Sequence, residues 1–343
     1  MGLKTYQYRI KDSSSRKILQ KLKRSVNFVW NFCNQTQKES LRRKDFLGKY
    51  DFSTLTSGTS KDLGLHSQTV QGICEEYSTR VKQFRKPFLR WRSRRHLGWI
   101  PFKKSGIKIK EDQVTYCGNV FRFWKSRDVP QEIQCGNFSQ DSLGRWYINL
   151  VCEVEEDPSE GTQEVGIDLG LKTLLTLSDG REFHHPRWYR KLEEKIKMSQ
   201  RLKKRKGTQK LHRKIKNQRK DFLHKVSSQL VRECKTIFVG DVSPGKLVKT
   251  RMAKSVLDAG WSMFKGFLRY KSIAKNILFK EVNERLTTQT CSNCLHVGGP
   301  KGLQGLGVRE WVCAICDVFH KRDVNSAINI LRLGYQTLST EGS

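Results

Sequence analysis

The chain has 343 residues, with 66 Lys and Arg against 33 Asp and Glu, a formal charge of +33; a surface this basic points to a polyanionic partner. At 36% apolar and 10% aromatic residues there is material for cores, which excludes wholesale disorder. No apolar run approaches the ~20 residues of a membrane helix and residues 1–11 lack an apolar leader core, so the expectation is a soluble cytoplasmic, nucleoid-associated protein whose partner is nucleic acid and not a membrane.

Residues 5–10 alternate like a short strand. The period then becomes helical: Ile18, Leu22, Val26, Val29 and Cys33, and later Val70, Ile73, Tyr77, Val81, Phe84 and Phe88, predict two amphipathic helices within 14–90, with a polar surface loop over 53–61. Residues 82–104 hold nine Lys or Arg and no acid, with Phe84, Phe88, Trp91, Trp99 and Phe102 set among them. Cations that neutralise phosphate beside aromatic faces that stack on bases are what a single-stranded nucleic acid requires. A helix end with its aromatics in the core and its charges solvated reads equally well. Arg85, Arg90, Trp91, Arg94 and Arg95 are the nucleic-acid-binding candidates here. After Gly106, short alternating runs at 107–109, 114–116, 120–124, 132–134 and 146–154 predict a small β barrel or curled sheet that residues 5–10 would join, which makes the helical stretch an insertion.

Residues 157–162 have linker composition. Residues 164–180 then read as an apolar strand broken by Asp168, a Gly turn, a second strand and an Asp-Gly hairpin turn. A carboxylate in such a strand needs a metal or a paired cation, and Gly166 and Gly170 leave room for ions to approach. Residues 188–231 predict a basic helical hairpin divided at Gly207, with 16 Lys or Arg between Arg187 and Lys220; such a rod repels itself unless a polyanion lies along it, and Lys204, Arg205 and Arg219 are its binding candidates. A buried-type strand at 236–239, a Ser-Pro-Gly turn, a helix carrying Val256, Met263, Phe264 and Phe267, and a strand at 277–282 follow. Strands alternating with helices predict a mixed sheet with a parallel part.

Four of the ten cysteines form Cys291-x2-Cys294 and Cys313-x2-Cys316, 18 residues apart. Two such turns offer four thiolates to one tetrahedral ion, the pattern of structural Zn2+. Residues 335–343 read as a disordered tail.

The stretches GIDLGLKTLLTLSDG, NQRKDFLHKVSSQLV, RMAKSVLDAGWSMFK, TTQTCSNC with CAIC, and HKRDVNSAINIL resemble the transposon-encoded TnpB/OrfB proteins, compact relatives of type V CRISPR effectors. The resemblance implies an α+β multidomain protein: a β-barrel wedge domain (1–12 and 104–157) interrupted by a helical recognition lobe (13–103), a RuvC-like, RNase H-type nuclease domain (158–288 and 319–334), a zinc-ribbon target-nucleic-acid-binding insert (289–318) and a tail (335–343). It further implies an RNA-guided DNA endonuclease whose partners are a guide RNA from the transposon end and double-stranded DNA bearing an adjacent motif, with two Mg2+ ions held by converging carboxylates.

Asp168 and Asp323 match the first and third acidic motifs of that family. At the second motif the usual Glu is replaced by Gly240, followed by Asp241. Asp241 is one residue late, which turns its side chain to the opposite strand face. Glu284, beyond a strand expected to run parallel beside 236–239, would open on the same edge; Glu281 lies inside that strand. Three readings stand: a relocated acid, Glu284 before Glu281; Asp241 as substitute; or no functional acid. The last would leave a nuclease-inactive, guided DNA-binding protein of repressor type. An unguided basic zinc-ribbon protein is the remaining class.

Overall fold

The computed structural model describes residues 2–11, 13–130, 132–154, 158–242, 253–305 and 307–341; the expected Ser-Pro-Gly turn at 243–245 lies outside them. Two compact units divide the chain, Leu3–Val154 and Glu155–Ser343. Among the described residues no helix is long and apolar enough to cross a membrane.

In the first unit, β1 (Gly2–Arg9) is followed by α1 (Ser13–Arg42), α2 (Lys49–Leu55), α3 (Ser60–Leu63) and α4 (Ser67–Phe84), and then by β2 (Trp99–Lys103), β3 (Ile107–Lys110), β4 (Gln113–Tyr116), β5 (Asn119–Arg122), β6 (Ile133–Gln140) and β7 (Trp146–Val154). The helical stripes read from the periodicity face inward as far as Val81: Leu22, Val26, Val29, Cys33, Val70, Ile73, Tyr77 and Val81 are buried, whereas Phe84, at the end of α4, and Phe88, beyond it, are exposed. Residues 53–61 are not a plain loop, because Phe52 anchors α2 edge-on against Tyr77 at 5.4 Å. The strands form a four-stranded sheet in the order β1-β7-β6-β2 and a separate meander β3-β4-β5 in place of one continuous barrel sheet. The end of β1 ties the two together: Ile10 N donates to Trp146 O, and Lys11 N to Arg122 O. Strand β2 falls in the segment assigned above to the helical lobe; its pairing with β6 moves residues 99–103 into the β part. Helices and sheets share one apolar core.

The second unit contains β8 (Gln163–Leu169), β9 (Thr173–Leu177), β10 (Glu182–His184), α5 (Trp188–Arg201), α6 (Arg205–Glu233), β11 (Cys234–Gly240), α7 (Ala253–Ala259), α8 (Trp261–Ala274), β12 (Leu278–Val282), α9 (Gly302–Gly305), β13 (Glu310–Val312), β14 (Phe319–Lys321) and α10 (Arg322–Glu341). Its five-stranded sheet has the order β10-β9-β8-β11-β12. Strands β8 and β9 are antiparallel, as are β9 and β10, whereas β8, β11 and β12 run parallel. The Asp179-Gly180 turn closes β9 onto β10, with Gly180 at φ 88°.

Side chains alternate across a strand, and the cores follow that parity. Val165, Ile167, Ile237 and Val239 pack with Leu223, Leu230 and Phe264 of α6 and α8. Phe238 and Val282 pack with Ile330 of α10 on the other face. Gly166 lies on the α10 face, where a Cβ would come within 2.1 Å of Ala327 O. The hairpin of α5 and α6 breaks at residues 202–204, with Lys203 at φ 49°, and not at Gly207. Gly207 is instead a close-approach position, since a Cβ there would meet Ser199 Oγ at 2.9 Å. The segment read as a disordered tail continues α10 to Glu341, with Tyr335 edge-on to Phe238 at 5.2 Å.

Candidate functional site

The acids converge at the carboxyl edge of the parallel strands, on the α10 face. Asp168 shares the parity of Gly166 near the end of β8, and its Oδ1 accepts from Ser326 Oγ of α10 at 3.0 Å. Gly240, last residue of β11, faces the same way. A Cβ built on it would lie 2.7 Å from Glu284 Oε2 and 3.3 Å from Ile330 Cδ1. The space that a side chain at 240 would enter therefore holds the Glu284 carboxylate, which arrives from the turn after β12.

Of the other acids near this edge, Glu281 is committed elsewhere. Glu281 sits on the α8 face, paired with Lys265 at 2.6 Å and with Arg269. Asp241 is exposed, and its Oδ1 faces the Glu284 amide at 3.4 Å. Asp323, in the first turn of α10, receives Arg309 Nη1 at 3.1 Å. Arg309 was not anticipated, because it belongs to the stretch between the cysteine pairs and no local pattern joins it to Asp323.

Burial, and then the neighbouring Asp323 carboxylate, push Asp168 up to about 7, against the Ser326 hydrogen bond and the Arg322 and Arg309 charges. Glu284 is likewise pushed up to about 7, by burial and then by Asp168 and Asp241, with Lys265 opposing. Carboxyls that burial, and then neighbouring acids, keep partly protonated near neutrality would be relieved by added positive charge, which suits hard divalent cations bound by oxygen. Among the described residues only the four cysteines bring three or more ligand atoms within 4.8 Å of one another.

Cys291, Cys294, Cys313 and Cys316 do converge, with Cys291–Cys316 at 3.6 Å and Cys294–Cys313 at 3.5 Å. Four thiolates at 2.3 Å from a tetrahedral zinc would be about 3.8 Å apart, so the donor set fits Zn2+. Both turns close alike: Leu295 and Asp317, each one residue past its pair, adopt φ 67° and 56°. Asn293 and the Val318 amide hold the Cys316 thiol down at about 6. His320 was missed by the spacing argument; its Nε2 lies 3.0 Å from Cys291 Sγ, and its ring packs on Trp311 at 4.7 Å.

The first basic stretch is divided by its packing. Phe102 is buried and Trp99 half-buried, while Phe84, Phe88 and Trp91 are exposed. Residues 89–94 cross a polar ridge of α1. Lys23 Nζ donates to Arg94 O at 3.2 Å, Asn27 Nδ2 to Ser93 O at 3.2 Å, Trp30 Nε1 to Arg90 O at 3.3 Å, and Asn31 Nδ2 to Arg92 O at 3.0 Å; Leu89 N donates to Asn34 Oδ1 at 2.8 Å. These positions recur every three or four residues, one helix face. With its backbone held, the strap leaves Arg90, Trp91, Arg94 and Arg95 exposed. Arg85, the left-handed cap of α4, is exposed as well. In the second stretch Lys204 and Arg205 are exposed at the start of α6. Arg219 differs from these: it is half-buried and pairs with the buried Asp258 of α7 at 3.2 Å.

Two family descriptions match this chain: "Probable transposase" (OrfB_IS605) over residues 149–251 and "Cas12f1-like, TNB domain" over residues 261–330. A Streptomyces pristinaespiralis protein named "Putative RNA-guided DNA endonuclease" is 33% identical over 226 residues, covering 61% of this chain and 55% of its own length. The Escherichia coli K12 protein InsQ, named in the same terms, is 30% identical over 248 residues, covering 64% and 61%. A mimivirus TnpB-like protein, L79, is 27% identical over 270 residues, covering 69% and 51%. The chain thus spans about half to three-fifths of the length of these relatives. A chain from a cryo-EM structure of a Cas12f1–sgRNA–target DNA complex superposes with a TM-score of 0.62 at 12% identity, covering 93% of this chain and 83% of that one, which is a likeness of fold.

Proposed function

We propose that this chain, whose residues 149–251 and 261–330 match the OrfB_IS605 and Cas12f1-like TNB descriptions, is an RNA-guided DNA endonuclease of transposon origin. In this reading the first unit combines the β wedge with a helical recognition lobe, and the second is a RuvC-like, RNase H-type nuclease with a zinc-ribbon insert. The partners are a guide RNA from the transposon end and duplex DNA with an adjacent motif. Guide pairing reads the sequence, and the basic protein surface, Arg90, Trp91, Arg94, Arg95, Lys204 and Arg205 included, holds the strands by backbone and shape.

Asp168, Glu284 and Asp323 would hold two Mg2+ ions. Mg2+ at such a site supplies an activated water and neutralises the leaving oxygen of a phosphodiester. The chain's own part is to present the carboxylates: Ser326 orients Asp168, and Asp168 and Glu284 each give up the proton that their surroundings retain. Arg309, paired with Asp323, would have to release or share that carboxylate for a cation to be held there. The observation that carries the reading is the exchange at Gly240, where Glu284 fills the place of the missing side chain. The test is to express the protein with its flanking DNA, sequence the RNA that copurifies, and incubate with a plasmid matched to that RNA and Mg2+. Cleavage that disappears on Asp168→Ala supports the reading. Guided binding with no product, even in Mn2+, would favour the nuclease-inactive alternative, for which the Arg309–Asp323 pair is the supporting observation.

A further inference from the structure

Residues 284–292 join Glu284 to the first cysteine pair, and one face of α10 staples them at both ends. Asn325 and Asn329, one turn apart and buried, send their Nδ2 groups to the same two carbonyls. Asn325 reaches Thr287 O at 3.2 Å and Thr290 O at 2.8 Å; Asn329 reaches them at 3.0 and 2.7 Å. Asn325 Oδ1 accepts from Ser292 N, inside the Cys291–Cys294 turn, at 2.8 Å. Between the two asparagines Ser326 is fully buried. Its hydroxyl donates to Asp168 Oδ1 and lies 2.9 Å from Thr287 Oγ1, while Thr287 Oγ1 donates to Glu284 O at 2.8 Å. One buried polar face of one helix thus holds the turn of Glu284, the carboxylate of Asp168 and the first cysteine turn.

We infer that Asn325, Ser326 and Asn329 are positioning residues that couple the cysteine knuckle to the acid site, so that metal bound at one strengthens binding at the other. This rests on the acid site proposed above. The Thr287 and Thr290 carbonyls each accept from both asparagines, and a polar network satisfied in one arrangement resists intermediate ones. If the knuckle loses its ion, the Ser292 amide is no longer held against Asn325, and the set of bonds that places Glu284 loosens. Residues that orient ligands from behind change metal affinity by about 10- to 100-fold when removed, and coupling between two binding sites is reciprocal.

The experiment uses the full chain and Mn2+ as the probe of the acid site, with Mn2+ affinity read by electron paramagnetic resonance and zinc content by atomic absorption. In zinc-loaded protein Mn2+ is expected to bind about fivefold or more tightly than in zinc-stripped protein. Asn325→Ala and Asn329→Ala, with zinc retained, should weaken Mn2+ about tenfold and abolish the response to stripping. Asp168→Asn should remove Mn2+ binding altogether while zinc stays. Equal Mn2+ affinity in loaded and stripped wild-type protein overturns the inference and leaves the acid site standing. No Mn2+ binding by the wild type overturns both. Should the asparagine variants fail to fold, the wild-type comparison alone decides.

Discussion

Gly240, the last residue of β11, and Glu284, in the turn after the adjacent β12, contend for one volume. A carboxylate introduced at 240 beside the native Glu284 puts two side chains where 2.7 Å separates the new Cβ from Oε2, so Gly240→Glu alone is expected to impair cleavage. Combined with Glu284→Gly it should recover a measurable part of the activity that Glu284→Gly removes, a loss set at about three orders of magnitude or roughly 4 kcal/mol in the barrier; a double variant as dead as the single one argues against exchange of position. The two raised acids carry a pH signature as well. Their folded-state values near 7 exceed the unfolded values of about 4, so the folded protein binds more protons between those limits. The stability they confer is complete below pH 4 and is lost as pH rises to 7. Zinc-loaded, Mg2+-free protein should therefore lose several degrees of Tm across that window relative to Asp168→Asn/Glu284→Gln, and Mg2+ should restore more at pH 8 than at pH 5. Much of the placement was legible in the chain: Asp168 on an apolar strand, Asp323 at the start of the last helix, and the parity rule that turned Asp241 away. Arg309 and Arg219 were not legible, because the partners that define them lie 14 and 39 residues off and only packing joins them.

At the scale of elements, the strap over α1 separates two roles that one run of basic and aromatic residues had combined. Its backbone bonds belong to the fold and its outward side chains do not. Trp91→Ala or Arg94→Ala should leave Tm within about 2 °C, as surface changes do, yet weaken binding of single-stranded RNA or DNA about tenfold in a filter or fluorescence assay. Asn31→Ala or Asn34→Ala should lower Tm first. The opposite ranking would assign the exposed aromatics to packing. Periodicity found α1 and α4 because their apolar faces repeat over several turns. It did not mark β2, whose five residues sit inside a basic run, nor the break at Lys203, since a lysine in the left-handed region has no compositional mark. Gly166 bears on the sheet–helix contact directly. Gly166→Ala drives a methyl into the α10 backbone and should cost roughly 1–3 kcal/mol, read as a lowered chemical-denaturation midpoint with unchanged zinc content.

Over the whole chain, the charge of +33 sets how binding answers to salt. Each phosphate contact releases condensed counterions, so the logarithm of affinity should fall linearly with the logarithm of salt, losing about three orders of magnitude or more between 50 and 200 mM if six or more phosphates are held. Alanine at Lys204 or Arg205 should reduce that slope by about one each, whereas Arg219→Ala, removing a cation already paired with Asp258, should change stability and not the slope.

Asp323, Ser326 and both asparagines stand in the last helix, Arg322–Glu341, while the strap, the basic hairpin and Asp168 precede it. On the proposed reading a chain still emerging from the ribosome acquires its grip on a transcript well before its scissors are assembled.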